Sequence, residues 1–415
     1  MSLIFRNGGS EDIPAVASLG AHSFPAIGLS LQEWEESLRD SPRGGVETLW
    51  VGEREGRIVA ACRLLRFQQW IGGVTIPMMG LSTVAIAPTH RRRGLAGQLV
   101  TTGLRHAGER GDAVSALFPF RTSFYRRLGY GMAGHALQYQ FPPAALPDHP
   151  SRARVEIAES QEARAEIASV YGRWAPGQTG QLERPDRAWS LVWQKGSRHG
   201  ALYRSPAGEP TGYAVFRYLT DPTPQGRVVD VEEIAWLEPQ ARLGLLGWLA
   251  SLSDQWEQIL YRAHPDEGFA EHLSELRHPV DGVPRWHFWF PSATLLEGPM
   301  FRIIDMEGAW SARRVDSTVE VAVALEVHDP QLPENEGGWT LTASGGRVEV
   351  TRGAGPDRCD VSVRTSIEVL SRLFIGSLSP SAAAVSGLLE VDSEDALPDL
   401  DRLLRLPRPW MFDRF

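Results

Sequence analysis

Residues 82–98, STVAIAPTHRRRGLAGQ, constrain this chain more tightly than any other stretch. An alternating apolar run stops at Pro88, the arginines Arg91, Arg92 and Arg93 follow, and Gly94 opens an amphipathic segment. Apolar or small residues recur at Leu95, Ala96, Leu99, Val100, Gly103, Leu104 and Ala107, the stripe of a helix with one buried face. Strand, tight turn and helix start are thus expected to meet at residues 91–96. A helix start presents unpaired backbone N–H groups and partial positive charge, which suits a diphosphate. Gly94 lets the backbone approach an oxyanion closely, and the arginines add charge. The segment reads as an anion cradle at the end of a strand. The alternative, a basic surface turn or a nucleic-acid patch, is what an arginine triplet alone would favour.

Arg91, Gly94 and Ala96 spell R-x-x-G-x-A behind the strand end V-A-I-A-P. This resembles the pyrophosphate signature of the GNAT acetyltransferases, (Q/R)-x-x-G-x-(G/A). The rest of the N-terminal third fits: a short strand, an acidic helix start at Glu11 and Asp12, then strands over 48–53 and 57–67 around Gly56. A buried strand is expected over 113–118, and a helix over 122–128 closed by Gly129. The run SFYRRLGY at 123–130 resembles the element that closes the GNAT cofactor site. The resemblance implies acetyl-CoA held in a splay between two parallel strands, with pantetheine along the backbone of Val84, Ala85 and Ile86. It implies the diphosphate on the turn formed by Arg91, Arg92, Arg93, Gly94, Leu95, Ala96 and Gly97. Phe120 and Arg121 are further expected contacts.

A chain of 415 residues is long enough for two or three domains. No apolar stretch approaches the ~20 residues that span a bilayer. The first residues lack the charged-then-apolar layout of a signal peptide. Cys62 and Cys359 are the only cysteines, so no disulfide framework or cysteine-rich metal site is expected. A cytoplasmic location follows by default. The histidines His264, His272, His278 and His287 are scattered without metal-ligand spacing, so no metal is expected. With a net charge of −9 and one arginine cluster, the chain is a poor nucleic-acid binder.

A Pro- and Ala-rich stretch at 141–152 reads as a linker, and VEEIAWLEPQARLGLLGWL at 231–249 then repeats the plan of strand, proline, turn and amphipathic helix. The echo has no arginine triplet, which suggests a GNAT-like domain without cofactor binding; the alternative is a coincidental strand–helix pair. Trp174, Trp189, Trp193, Trp236, Trp248 and Trp256 are expected to fill its core and interfaces. From about Leu295 come a strand running into a small helix, a hairpin around Gly345 and Gly346, and two short apolar helices over 366–389. That order resembles a sterol-carrier-protein-like domain, which in isolation would suggest a lipid pocket. The fold class expected is α+β: tandem GNAT folds over 1–145 and 146–294, the first active and the second degenerate, then the sterol-carrier-like domain over 295–415.

This layout resembles the Eis (enhanced intracellular survival) acetyltransferases, whose members N-acetylate amines, aminoglycosides among them, and assemble as hexamers. Acetyl transfer to an amine needs a neutral amine, a polarised carbonyl and a proton for the leaving thiolate. The resemblance implies Tyr125 as proton donor, since a phenol of pKa ~10 is protonated at neutral pH. Read without the motif, Tyr125 is a packed core tyrosine. The resemblance also implies the C-terminal carboxylate of Phe415 as base. An α-carboxylate near pKa ~3.5 is a weak base unless burial raises it or a water relays the proton. The alternative is an aromatic tail that merely docks the last domain.

For the acceptor, Phe24 and Trp34 are candidate walls, and Glu35 and Glu36 candidate partners for a cation. An ordinary amphipathic helix with a solvated acidic face explains the same residues. The negative balance favours polycationic substrates weakly. Arg414 departs from the acidic residue that family members can carry beside the terminus. The expectation is an acetyl-CoA-dependent N-acetyltransferase acting on multiply charged amines, aminoglycoside-type first. A protein-lysine or polyamine acetyltransferase is the rival, and a lipid- or acyl-binding protein is the rival of another class.

Overall fold

The computed structural model describes residues 3–194, 198–220, 226–276, 288–353 and 359–415. His278 and His287 lie outside them. Among the described residues no helix is long and apolar enough to cross a membrane. The chain forms two units: Met1–Gly134 with Gln178–Glu183 and Pro299–Phe415, and His135–Gly177 with Arg184–Gly298.

The first unit opens with β1 (Leu3–Asn7), α1 (Ile13–Ser23), α2 (Leu31–Arg39), β2 (Leu49–Arg54), β3 (Arg57–Ile71) and β4 (Val74–Ile86). It continues with α3 (Leu95–Glu109), β5 (Val114–Leu117), α4 (Thr122–Arg126) and β6 (Gly131–Met132). The second unit holds β7 (His135–Phe141), β8 (Val155–Ile157), α5 (Gln161–Trp174), α6 (Asp186–Gln194), β9 (Arg198–Arg204) and β10 (Pro210–Leu219). Its remaining elements are β11 (Val228–Trp236), α7 (Pro239–Ala250), β12 (Gln258–Ala263) and β13 (Thr294–Glu297). The chain returns to the first unit as β14 (Met300–Ile303), α8 (Met306–Ala312), β15 (Val321–His328), β16 (Gly337–Ser344) and β17 (Arg347–Arg352). It closes with β18 (Val361–Ser366), α9 (Ile367–Ile375), α10 (Pro380–Val385), β19 (Leu389–Val391) and α11 (Leu397–Leu404).

The first sheet has the order β1-β2-β3-β4-β5-β14-β6. Its long hairpin turns on Gly72 and Gly73, both left-handed at φ 60° and 82°, as a tight primed turn requires. Alternation places Leu49, Val51, Ala61 and Ala85 against α1 and α2, and Trp50, Ala60, Cys62 and Leu64 against α3. The second sheet of this unit has the order β17-β16-β15-β18-β19. One apolar core joins the two sheets, running from Ile71, Met78 and Val114 through Phe301 and Trp310 to Val323, Phe374 and Leu404.

The second unit is built on a sheet ordered β13-β7-β12-β11-β10-β9-β8. As β4 lies parallel to β5, β11 lies parallel to β12, from Val228 beside Gln258 to Val231 beside Tyr261. The helix α7 follows β11 as α3 follows β4. Trp189 is buried against Tyr171 and stacks on Trp193, a core role.

The expected boundaries at 145/146 and 294/295 do not coincide with the units. Strand β7 pairs with β12 and β13, and β14 is laid between β5 and β6. Alternation shows that a run is a strand but not which sheet edge it will join. The Gln178–Glu183 segment is likewise part of the first unit, through backbone bonds to β3.

Candidate active site

Strand β4 carries a bulge where the site begins. Pairing with β3 runs to Ser82 opposite Arg63 and resumes at Ala85 opposite Ala61, so Thr83 and Val84 face the single residue Cys62. Thr83 takes a left-handed φ of 55° there. A bulge bends its strand and adds twist. On the other edge, β4 pairs with β5 at Met78, Met79 and Gly80 and at no described residue beyond. Val84, Ala85 and Ile86 therefore keep a strand edge without a partner strand, beside the gap that opens past Gly80.

The turn that follows brings in the arginines. Arg91 Nε donates to the Ile86 carbonyl at 3.2 Å, which ties the turn back onto the strand. Arg92 and Gly94 are left-handed, at φ 59° and 77°. Arg91, Arg92, Arg93 and Gly94 are exposed, and Leu95 is buried under the start of α3. Helices α2, α5, α9 and α10 begin on a serine whose hydroxyl accepts a backbone N–H of the first turn. Helix α3 begins on Gly94 with no side-chain cap, so its first N–H groups remain available to an anion. A Cβ on Gly94 or Gly97 would come no closer than 3.8 Å to Gln98 and 4.0 Å to Leu128, so both glycines border open space. Uncapped N–H groups, bare glycines and three arginines are a donor set that fits a diphosphate.

Tyr125 lies on α4, only 3 % exposed. Phe120, Phe124 and Tyr130 meet its ring edge-on, with centroids 5.5, 4.9 and 6.0 Å away. Its hydroxyl makes no hydrogen bond among the described residues, and burial pushes the phenol above its ordinary pKa. The carbonyl of Tyr125 accepts from Leu128 N at 2.9 Å and Tyr130 N at 3.1 Å, closing the turn at Gly129. The Tyr130 hydroxyl bonds Ser115 Oγ at 2.7 Å, so the two tyrosines differ: one is satisfied, the other is unengaged. Phe120, 68 % exposed, and Arg121, also exposed, stand at the start of α4.

The chain's last residues enter the same region. The ring of Phe415 lies 5.0 Å from Phe67 and 5.7 Å from Phe118. Its Cε2 is 2.9 Å from where a Gly80 Cβ would stand. Gly80 is the last residue of β4 paired with β5, so Phe415 sits where the two strands part. The guanidinium of Arg43 donates to the Arg414 carbonyl.

Of the acceptor candidates, Trp34 is 6 % exposed and packs its ring on Gly20, where a Cβ would stand 3.0 Å away, so it belongs to the α1–α2 core. Phe24 is half-buried, 6.4 Å from Trp34. Glu35 pairs with Arg39 at 2.7 Å, and Glu36 accepts from Gln32 at 2.9 Å; both bonds stay within α2. Sequence reasoning missed Phe67, Phe118, Gly80 and Gln181, which hold the tail. Gly80 alone left a signal, since a glycine inside a strand often marks close approach of another group.

In the second unit, Arg242 of α7 donates to the carbonyl and carboxylate of Glu267, at 3.0 and 3.1 Å, and lies over Trp236. This helix also starts without a side-chain cap, but its first turn has no arginine triplet. In the sterol-carrier portion, Val323, Leu341, Leu370, Leu389 and Leu403 line an apolar cavity of about 30 Å³. At ~10–15 Å³ per water, that is room for two or three waters.

Comparison with known proteins agrees with this architecture. Residues 5–133 match the acetyltransferase (GNAT) domain, 180–303 match another GNAT domain description, and 306–412 match the sterol carrier protein domain. N-acetyltransferase Eis of Mycobacterium tuberculosis is 28% identical over 340 residues, 80% of this chain and 78% of that one. An uncharacterized N-acetyltransferase of Streptomyces avermitilis is 26% identical over 330 residues, covering 76% of each. A GCN5-related N-acetyltransferase from Anabaena variabilis superposes over the whole of both chains with a TM-score of 0.85 at 23% identity. Eis1 from Mycobacterium abscessus does so with a TM-score of 0.77 at 19%.

Tandem GNAT domains with this strand splay and helix start define an acetyltransferase enzyme, of a class that uses acetyl-CoA. Within that class the chain is a homologue of the Eis N-acetyltransferases, with a sterol carrier protein domain following the two GNAT domains.

Proposed function

We propose that this protein acetylates primary amines of small, multiply charged cations, aminoglycoside-type first, by direct transfer within the first GNAT domain. The observation that carries this reading is the uncapped start of α3 beside the unpaired edge of β4. Acetyl-CoA supplies the activated acetyl group. Val84, Ala85 and Ile86 bind its pantetheine through the backbone, and the amides and arginines of the 91–97 turn hold the diphosphate, with Phe120 and Arg121 beside it. Tyr125, buried and protonated across neutral pH, donates its proton to the thiolate that leaves.

Where the native chain ends at Phe415, its α-carboxylate is the base that takes the amine's proton, directly or through a water. The position of the Phe415 ring at the parting of β4 and β5 supports this role. Self-association as a hexamer, a cytoplasmic location, and a small-molecule substrate in place of nucleic acid or membrane complete the reading.

The test is thiol release from acetyl-CoA with an aminoglycoside panel, a linear polyamine, a lysine peptide and no acceptor. Acceptor-dependent release with aminoglycosides is the expected result. Release with the peptide or polyamine alone would keep the chemistry and replace the substrate; silence with every amine would overturn the reading.

A further inference from the structure

The tail that carries Phe415 is held by a segment far away in sequence. Residues Gln178–Glu183 follow and precede stretches of the second unit but are part of the first. They lie antiparallel against β3. Trp70 N donates to the Gln181 carbonyl, Gly180 N to the Trp70 carbonyl and Glu183 N to the Gln68 carbonyl, each at 2.8 Å. The side-chain amide of Gln69 donates to the Gly180 carbonyl at 3.0 Å. This gives the segment one edge bonded to the sheet and leaves the other for the tail.

That second edge takes the tail at two successive points. Trp410 N donates to the Thr179 carbonyl at 3.0 Å. The Gln181 side chain then bridges: Nε2 donates to the Trp410 carbonyl at 3.3 Å, and Oε1 accepts from Phe412 N at 3.2 Å. Gln181 is completely buried and Thr179 is 1 % exposed. A primary amide is a side chain that donates and accepts at adjacent atoms, which this bridge needs; a carboxylate only accepts and a thioether does neither well. Gly180, left-handed at φ 99°, lets the tail lie directly on the backbone, since a Cβ there would stand 2.7 Å from the Trp410 carbonyl oxygen.

We infer that Gln181 is a positioning residue for acetyl transfer, fixing the tail so that Phe415 stays where β4 and β5 part. The inference rests on the reading of Phe415 as part of the active site. Phe415 lies five residues past Trp410, which the Thr179 carbonyl holds, and three past Phe412. At about 3.5 Å per extended residue, a tail held only at Trp410 could place Phe415 anywhere within about 18 Å, and one also fixed at Phe412 within about 10 Å. Misplacement of a reacting group by ~1 Å can cost ~100-fold in rate, so confinement on this scale matters for turnover and not for acetyl-CoA binding at the α3 turn.

The experiment is a cycle in the full-length enzyme: wild type, Gln181→Met, deletion of Phe415, and both changes together. Thiol release with the best amine of the panel gives kcat and the acetyl-CoA KM, and thermal unfolding is followed in parallel. Gln181→Met is expected to lower kcat ten-fold or more with the acetyl-CoA KM within two-fold. In the Phe415-deleted enzyme the same substitution is expected to change kcat by less than two-fold, because what it positions is gone. An equal fall in both backgrounds, or a lower melting temperature with unchanged kcat, overturns the inference. Activity unaffected by the deletion itself removes Phe415 from the mechanism and the inference with it, a result read from a different arm. Should Gln181→Met not fold, Gln181→Asn, which keeps the amide and shortens its reach, carries the same comparison, and full activity of that variant in the intact chain overturns the inference.

Discussion

Arg302 and Asp329 form a completely buried ion pair, with Arg302 Nη2 at 2.6 and 2.8 Å from the two carboxylate oxygens. Arg302 lies on β14 of the first sheet, and Asp329 just past β15 of the sterol-carrier sheet. The second terminal nitrogen, Nη1, donates to the Leu128 carbonyl, immediately behind the helix that carries Tyr125. Asp329 also accepts from Gln331 N, Leu332 N and Asn335 Nδ2. The pair thus joins the sterol-carrier portion to the end of α4.

Removing one partner leaves an uncompensated buried charge, which costs about 3–5 kcal/mol. Asp329→Ala is expected to lose stability on that scale in equilibrium denaturation. A loss under about 1 kcal/mol, the value of an exposed pair, would contradict the buried link.

Tyr125→Phe removes the hydroxyl and keeps the ring packing. General acids contribute about 10²–10⁴-fold, so kcat is expected to fall within that range with the acetyl-CoA KM within a few-fold. The pH profile adds a second check. Burial raises the phenol above its ordinary pKa, so it stays protonated below about pH 10. No basic limb due to Tyr125 is then expected between pH 7 and 10. A limb near pH 8.5 that vanishes in Tyr125→Phe would mean a depressed phenol and a different role.

Gly94→Val puts a β-branched residue at φ 77° and narrows the α3 turn. The left-handed conformation costs a non-glycine residue about 1–2 kcal/mol. The expected result is a weaker turn and an acetyl-CoA KM at least ten-fold higher, with kcat at saturation within a few-fold. An unchanged KM would place the diphosphate elsewhere.

Phe415 offers two groups, a ring and a carboxylate, and one added glycine separates them. Extending the chain past Phe415 leaves the ring against Phe67 and Phe118 but moves the carboxylate. Loss of kcat on extension with unchanged acetyl-CoA affinity by calorimetry would assign the role to the carboxylate. Full activity would leave only the ring's packing, and the base would have to be sought elsewhere.

Much of the site was legible along the chain. The strand end at Ile86, the arginine turn, the Gly94 start of α3 and the Tyr125 helix closed by Gly129 all occur where residue spacing predicts them. So do the hairpin at Gly345 and Gly346 and the paired helices α9 and α10. These features depend on neighbours a few residues away, through backbone sterics, caps and the period of one buried face. Trp34 shows the limit of that logic. Its amphipathic spacing says that one face of α2 is covered but not by what, and the cover is Gly20 and the α1 core.

What only the tertiary structure decided is which distant pieces meet. The insertion of β14 beside β5, the surrender of β7 to the second sheet, the Arg302–Asp329 pair and the clamp on the tail all join residues far apart. Gln181 and Trp410 are 229 residues apart. A strand's alternation, a lone buried glutamine and an aromatic tail each specify a need for burial or for a hydrogen-bond partner, and many partners would satisfy it. The sequence by itself determined a GNAT turn, a tyrosine helix and their order. The choice of neighbours was made by the folded chain as a whole, because burial and hydrogen bonding reward whichever long-range contacts can all be made at once.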